Sequence, residues 1–288
     1  MNILVTGGLG FIGSHLVDSL LDTDNNITVM DDLRSESSDK KYIRESVDYW
    51  IDDIRNISSS KYKSKQFDII YHLGALARIQ PSFKNPVEYI SINSMGTALV
   101  CERAREMNAK IVYAGSSSAY GGPMLNPYSF AKYEGEKICE MYSKVYNLST
   151  VTARFFNVYG DRQPIIGPYA TVVGIFEQKY LKKEPLTIIG TGEQRRDFTH
   201  VSDIVSGLVA LGKDRWSSEI FNLGSGKNYS INELAKMFGG ETVFLDPRPG
   251  ESRVTLADYT SMKRKTGWNP KINLESYIKE WKRENTSG

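Results

Sequence analysis

Two hydrophobic periods alternate along the first 155 residues. Nearly continuous apolar runs at Asn2–Thr6, 27–30, 67–73, 110–114 and Thr150–Phe155, with a weaker one at 47–51, predict strands buried on both faces. Between them, apolar residues at helical spacing predict helices over Phe11–Leu21, 86–107 and 128–146. Strand followed by helix, repeated, predicts an α/β protein with a doubly wound parallel sheet. After about residue 156 the alternation loosens and Gly, Pro and Arg become frequent. Helices are expected there at 170–180, 201–211, Ile231–Phe238 and 274–283, with short strands at Leu186–Ile189 and 220–223. This stretch reads as a smaller lobe, some of whose segments return to the main sheet.

Composition narrows the class of partner. The 288 residues carry 36 Lys+Arg against 34 Asp+Glu, a net charge of +2, with the two signs interspersed. A nucleic acid partner is not expected from such a balance. No apolar run approaches the roughly 20 residues of a membrane helix. The two cysteines, Cys101 and Cys139, fall in helical stretches, so a reducing compartment is expected rather than a disulfide framework. The pattern opens directly on a strand without a leader, and the expectation is a cytoplasmic protein.

The first chemical signal is the turn Gly7-Gly8-Leu9-Gly10-Phe11-Ile12-Gly13, which leaves the first strand and opens the first helix. Side chains there would keep a pyrophosphate from the backbone N–H groups and the helix N-terminus. Asp31, at the end of the second strand, has the spacing of an acceptor for an adenosine ribose. Its charge would repel a 2′-phosphate, favouring NAD over NADP, although Arg34 stands close by. Asp53-Ile54, after the third strand, reads either as an adenine contact or as a solvated charge. Leu73-Gly74-Ala75, ending the fourth strand, suits close approach of a cofactor or tight packing.

The second signal is Ser116-Ser117-Ser118 after the fifth strand, with Tyr128 and Lys132 one helical turn apart on the next helix. An ammonium beside a phenol stabilises the phenolate, so a group titrating near ~10 becomes a base at neutral pH. A serine hydroxyl at the strand end would share the proton. Such a set removes a proton from an alcohol while a nicotinamide takes the hydride.

With these residues in place, the chain resembles the extended short-chain dehydrogenase/reductase superfamily, in its NAD-dependent nucleotide-sugar epimerase/dehydratase branch. The resemblance is carried by Thr6 to His15, Ser116 to Gly121, Tyr128 with Lys132, Arg154 to Gly160, Gly192 to Phe198 and Arg248 to Glu251. It implies a Rossmann-type NAD-binding domain over 1–156, holding the catalytic Ser, Tyr and Lys. It also implies a mainly nucleotide-sugar-binding lobe over 157–288. The resemblance assigns Ser116, Tyr128 and Lys132 to catalysis. To NAD it assigns Gly7, Gly10, Phe11, Ile12, Gly13, Asp31, Asp53, Ile54, Leu73, Gly74, Ala75 and Asn93, with Tyr128 and Lys132. Substrate falls to Ser117, Asn157, Arg196, Arg248, Glu251 and Thr255, the arginines on the diphosphate. No metal site is implied.

The same resemblance separates reactions. Dehydratases place acids directly after the catalytic Thr, and decarboxylases usually a Glu; here those positions are Ser117 and Ser118. What remains is 4-epimerisation, which needs only Ser, Tyr, Lys and NAD. Residues 167–173 resemble the segment that covers nucleotide and sugar in UDP-N-acetylhexosamine 4-epimerases, so UDP is expected. A family gate beside the sugar C2 falls at Thr255, small enough to admit N-acetyl sugars. The loop 122–127 is shorter than is usual, and a more open rim is expected there. Helices 86–107 and 128–146 match those that pair in family homodimers. Other activities on the same scaffold, and a non-catalytic NAD-binding regulator, are the alternatives.

Overall fold

The computed structural model describes residues 1–34 and 40–286. Strands β1 (Asn2–Thr6), β2 (Asn26–Asp31), β3 (Asp48–Ile51), β4 (Ile69–His72), β5 (Lys110–Ser116) and β6 (Thr150–Phe155) fall where apolar runs predict them. Shorter strands follow: β7 (Val158–Tyr159), β8 (Leu186–Ile189), β9 (Arg195–Asp197) and β10 (Thr199–His200). Then come β11 (Ser217–Leu223), β12 (Asn228–Ser230) and β13 (Thr242–Leu245). The main sheet has the order β11-β6-β5-β4-β1-β2-β3 and every neighbouring pair is parallel. β11 is therefore the segment that returns from the second half of the chain, and it is three residues longer at its start than the pattern indicates.

Side-chain alternation along each strand splits the core into two layers. Ile3 and Val5 face the helices Phe11–Leu21 and Val201–Lys213, packing on Leu16, Ile204 and Leu208. Leu4 faces the opposite layer, with Ile70, Val100, Ala104 and Ile111. A third cluster, built on Phe176, Ile188, Phe198, Leu234 and Phe238, supports the smaller lobe.

Two helical expectations are corrected. The stretch 86–107 is not one regular helix: Pro86–Tyr89 and Gly96–Met107 are joined by a π-helical stretch, Ile90–Met95. A π stretch changes the phase of the side chains, as commonly happens at functional sites, and here it turns Asn93 into the protein. A further short helix, Ile79–Lys84, lies before it. The helix Pro127–Tyr146 starts one residue earlier than expected because Asn126 caps it, accepting from Ser129 N.

Candidate active site

The strand order reverses direction between β1 and β4, which opens a crevice at their carboxyl ends. Gly7 and Gly74 face each other across it, and a Cβ on Gly7 would stand 2.9 Å from Gly74 N. Gly7 also adopts φ +70°, a conformation glycine supplies without strain. A Cβ on Gly13 would collide with the Gly7 carbonyl oxygen, so helix 11–21 meets the turn only because that residue is glycine. Asp31 locks the turn from β2, accepting from Leu9 N at 3.0 Å and Leu33 N at 2.9 Å. These features fit a dinucleotide: a bare cradle at a helix N-terminus with a buried carboxylate at its edge.

The crevice runs into a cavity of about 550 Å³. It is lined by Gly7, Gly10, Phe11, Ile12, Gly13, Asp31, Ile54, Leu73, Gly74 and Ala75 at one end. Asn157, Arg196, Arg248, Glu251 and Thr255 line it too, with Ser116, Ser117, Tyr128 and Lys132. Two expected cofactor residues are absent from the wall. Asp53 turns to Arg55, accepting from its Nη2 at 2.6 Å and Nε at 2.9 Å, with Arg34 Nη2 at 3.4 Å. Asn93 is buried behind the wall and bonds Leu76 twice, accepting from its N–H at 2.7 Å and donating to its carbonyl at 2.9 Å. It holds the cavity-lining loop in place from behind.

Tyr128 Oη donates to Ser116 Oγ at 3.4 Å, and Ser116 Oγ also accepts from Ser118 N at 3.2 Å. Tyr89 braces the tyrosine edge-on, with ring centroids 6.4 Å apart. The electrostatics differ from the sequence expectation. Burial raises the Tyr128 phenol above its ordinary range, and the groups that oppose this are Ser116 and Arg78, not Lys132. The Lys132 ammonium lies 4.3 Å over the Tyr113 ring, and its burial pulls its pKa down to about 8. His72, buried below it between Thr6 and Thr97, is kept neutral, its pKa pulled down to about 3 by burial and by Lys132.

The smaller lobe positions the other wall. Asp197, fully buried, accepts from Ser225 N at 2.8 Å, Gly226 N at 2.9 Å and Ala257 N at 3.0 Å, so it draws the 255–257 segment against β9. That sets Arg196 beside Glu251 at 3.4 Å, while Arg248 is exposed at the rim. Thr255 Oγ1 accepts from Asn157 Nδ2 at 3.2 Å and from Asp197 N at 3.2 Å. The short loop 122–127 is packed onto the 250–252 turn, with Asn126 Nδ2 bonded to Gly250 O at 3.0 Å and Gly121 pressed on Ser252. The edge expected to be open is closed at that point.

Sequence reading missed Arg78. It lines the cavity with φ +76° and donates from Nε to Tyr169 O at 2.9 Å, joining the two halves of the chain. Its only sequence signal is a charge directly after the small-residue stretch that ends β4.

A doubly wound sheet with a glycine cradle at its switch point and a Ser–Tyr pair beside a buried Lys defines a dinucleotide-dependent enzyme of the short-chain dehydrogenase/reductase class. Within it, the chain belongs to the NAD dependent epimerase/dehydratase family, whose model matches residues 3–224. It is 35% identical over 98% of its length to a Methanocaldococcus jannaschii protein provisionally named UDP-glucose 4-epimerase, covering 99% of that protein. It superposes with TM-score 0.92 and 30% identity on UDP-glucose 4-epimerase from Thermotoga maritima with UDP-glucose, each chain covered fully. UDP-glucuronic acid 4-epimerase from Bacillus cereus, in complex with UDP-glucuronic acid and NAD, matches with TM-score 0.89 and 28% identity over 99% of each chain.

Proposed function

We propose that the chain is a 4-epimerase of UDP-linked hexoses that uses NAD. The observation that carries this reading is a single cavity with the glycine cradle, the Tyr128–Ser116 pair and the arginines 196 and 248 along its wall. NAD supplies a hydride acceptor that also returns the hydride. Tyr128, once ionised under the positive charge of bound NAD and of Arg78, would take the proton from the sugar O4, and Ser116, already 3.4 Å away, would hold that oxygen. In this reading Lys132, buried one turn along the helix, holds the nicotinamide ribose, while the cation whose field reaches the phenol is Arg78. Arg196 and Arg248 bind the diphosphate, and Glu251, beside Arg196, the nucleoside ribose. After rotation of the sugar within the cavity, the same phenol gives the proton back to O4 while C4 is reduced on its other face. No acidic side chain follows Ser116, where Ser117 and Ser118 stand, so elimination or decarboxylation lacks its acid.

Residues 1–156 form the NAD-binding domain in this reading and 157–288 clamp the nucleotide sugar, with β11 lent to the main sheet. Thr255 leaves the space beside the sugar C2 open to an N-acetyl group. A cytoplasmic location is supported by the free, buried Cys101 and Cys139. No helix among the described residues is long and apolar enough to cross a membrane. A homodimer is supported by Val87, Met95, Met141 and Val145, apolar and exposed on the two helical stretches 86–107 and 127–146.

The test is incubation of the purified protein and NAD with UDP-glucose, UDP-galactose and their N-acetyl forms, resolving the products. Interconversion at C4 without net NADH is expected. Stoichiometric NADH would instead identify a dehydrogenase.

A further inference from the structure

Three of the arginines in the cavity wall have their charge accounted for. Arg34 pairs with Asp32 at 2.9 Å and Glu88 at 2.5 Å, Arg196 stands beside Glu251, and Arg248 is exposed to water. Arg78, half-buried in the wall, differs from them. Among the described residues it pairs with no carboxylate, and its hydrogen bond runs from Nε to the Tyr169 carbonyl. Nη1 and Nη2 are left for whatever enters the cavity. The residue is also held in a backbone conformation, φ +76° and ψ 144°, that a side chain disfavours by roughly 1–3 kcal/mol, and such strain persists where the surroundings require it.

Its place in the cavity is at the reacting end. Arg78 is the cation whose field acts on Tyr128, whereas Arg196 acts with Glu251. The loop that carries it is pinned on both sides: Tyr89 Oη bonds Ala77 O at 2.6 Å and Gln80 Nε2 bonds Pro249 O at 3.0 Å. Beyond Ser116 lies Ser118, which also lines the cavity, with its Oγ buried and without a hydrogen-bond partner. A guanidinium and an unsatisfied hydroxyl thus both line the part of the cavity built around Tyr128.

We infer that Arg78 is a specificity-determining residue that pairs with an anionic substituent on the sugar, so that the preferred substrate is a nucleotide-linked hexuronic acid with its carboxylate at C6. This rests on the epimerase reading above and narrows its substrate. The physical reason is desolvation. When a sugar fills the cavity it displaces the water around Arg78, and a buried charge without a partner is costly. A neutral CH₂OH offers one hydroxyl in exchange. A carboxylate offers two charged acceptors in the plane a guanidinium matches, and its spare lone pairs suit a serine hydroxyl.

The test compares UDP-glucuronate with UDP-glucose on the NAD-loaded protein, counting all products. Wild type is expected to favour the uronate in kcat/KM by about tenfold or more. Arg78→Met is expected to lower the uronate-to-hexose ratio by about 30-fold, chiefly through KM, which is what one charge-assisted pair supplies. Arg78→Lys keeps the charge and should retain part of the preference. The same preference should appear as a ratio of dissociation constants in Tyr128→Phe, where turnover is not needed. If no UDP-sugar is epimerised, the proposed reaction fails, yet that binding ratio still decides the role of Arg78. Equal or better use of UDP-glucose by wild type overturns the inference. So does a ratio unmoved in Arg78→Met, including the case where that variant shifts the pH profile of both sugars alike and Arg78 serves Tyr128 alone.

Discussion

Ser116 Oγ and Tyr128 Oη, 3.4 Å apart, join the end of β5 to the first turn of the following helix, and Ser118 N holds the serine from its other side at 3.2 Å. The pair is assembled before substrate arrives. In the proposed reaction the phenol oxygen exchanges a proton with O4, so Tyr128→Phe should retain fold and NAD affinity but lose turnover by about 10³-fold or more. Single-turnover kinetics beside a fluorescence titration of NAD would check both halves; near-normal turnover would remove Tyr128 from the mechanism.

Asn93 should matter to NAD without touching it. Asn93→Ala strips Leu76 of both its side-chain partners, leaving a half-buried donor and acceptor unpaired. A loss of roughly 2 kcal/mol of stability and about tenfold in NAD affinity is expected. Calorimetric titration and thermal melts measure the two; unchanged affinity would show that the loop keeps its shape unaided.

Glu177 gives a pH signature. Burial pushes its carboxyl up to about 7, against hydrogen bonds from Tyr277 Oη and Gln163 Nε2 that lower it. Between about pH 4.5 and 7 the native state keeps a proton that the unfolded chain has lost, so stability falls as pH rises through that window. The penalty is complete above it. Glu177→Gln does not titrate, so its unfolding free energy relative to wild type should be higher at pH 8 than at pH 5, by on the order of 2–3 kcal/mol at most, as denaturant melts at the two pH values would measure. A pH-independent difference would contradict the raised pKa.

Thr255→Tyr should depress use of UDP-N-acetylhexosamines relative to UDP-glucose and UDP-galactose. The substitution also removes the acceptor for Asn157 and Asp197, so a lower Tm is expected alongside. Thr255→Ser, which keeps the hydroxyl, is the control for that cost. If wild type ignores the N-acetyl sugars, or the Tyr variant treats both classes as before, Thr255 does not set that limit.

Whatever depends on neighbours a few residues apart was open to reading in the chain. The periods of 2 and 3.6 residues placed the six early strands and the helices Phe11–Leu21 and Ile231–Phe238, because burial on a strand or helix face is a local pattern. The glycine cradle, Asp31 and the Tyr128/Lys132 spacing lie within single loops or helical turns. Other relationships exist only through contacts between distant segments, and a period carries no information about those. The tertiary structure alone decided that Asn93 braces Leu76 through a π stretch, that Asp53 is spent on Arg55 and Arg34, and that Lys132 lies over Tyr113. It also brought β11 back beside β6 and set Arg78 against Tyr169, 91 residues on, half-buried in a cavity wall where an ordinary charge comes to need a partner once the cavity fills.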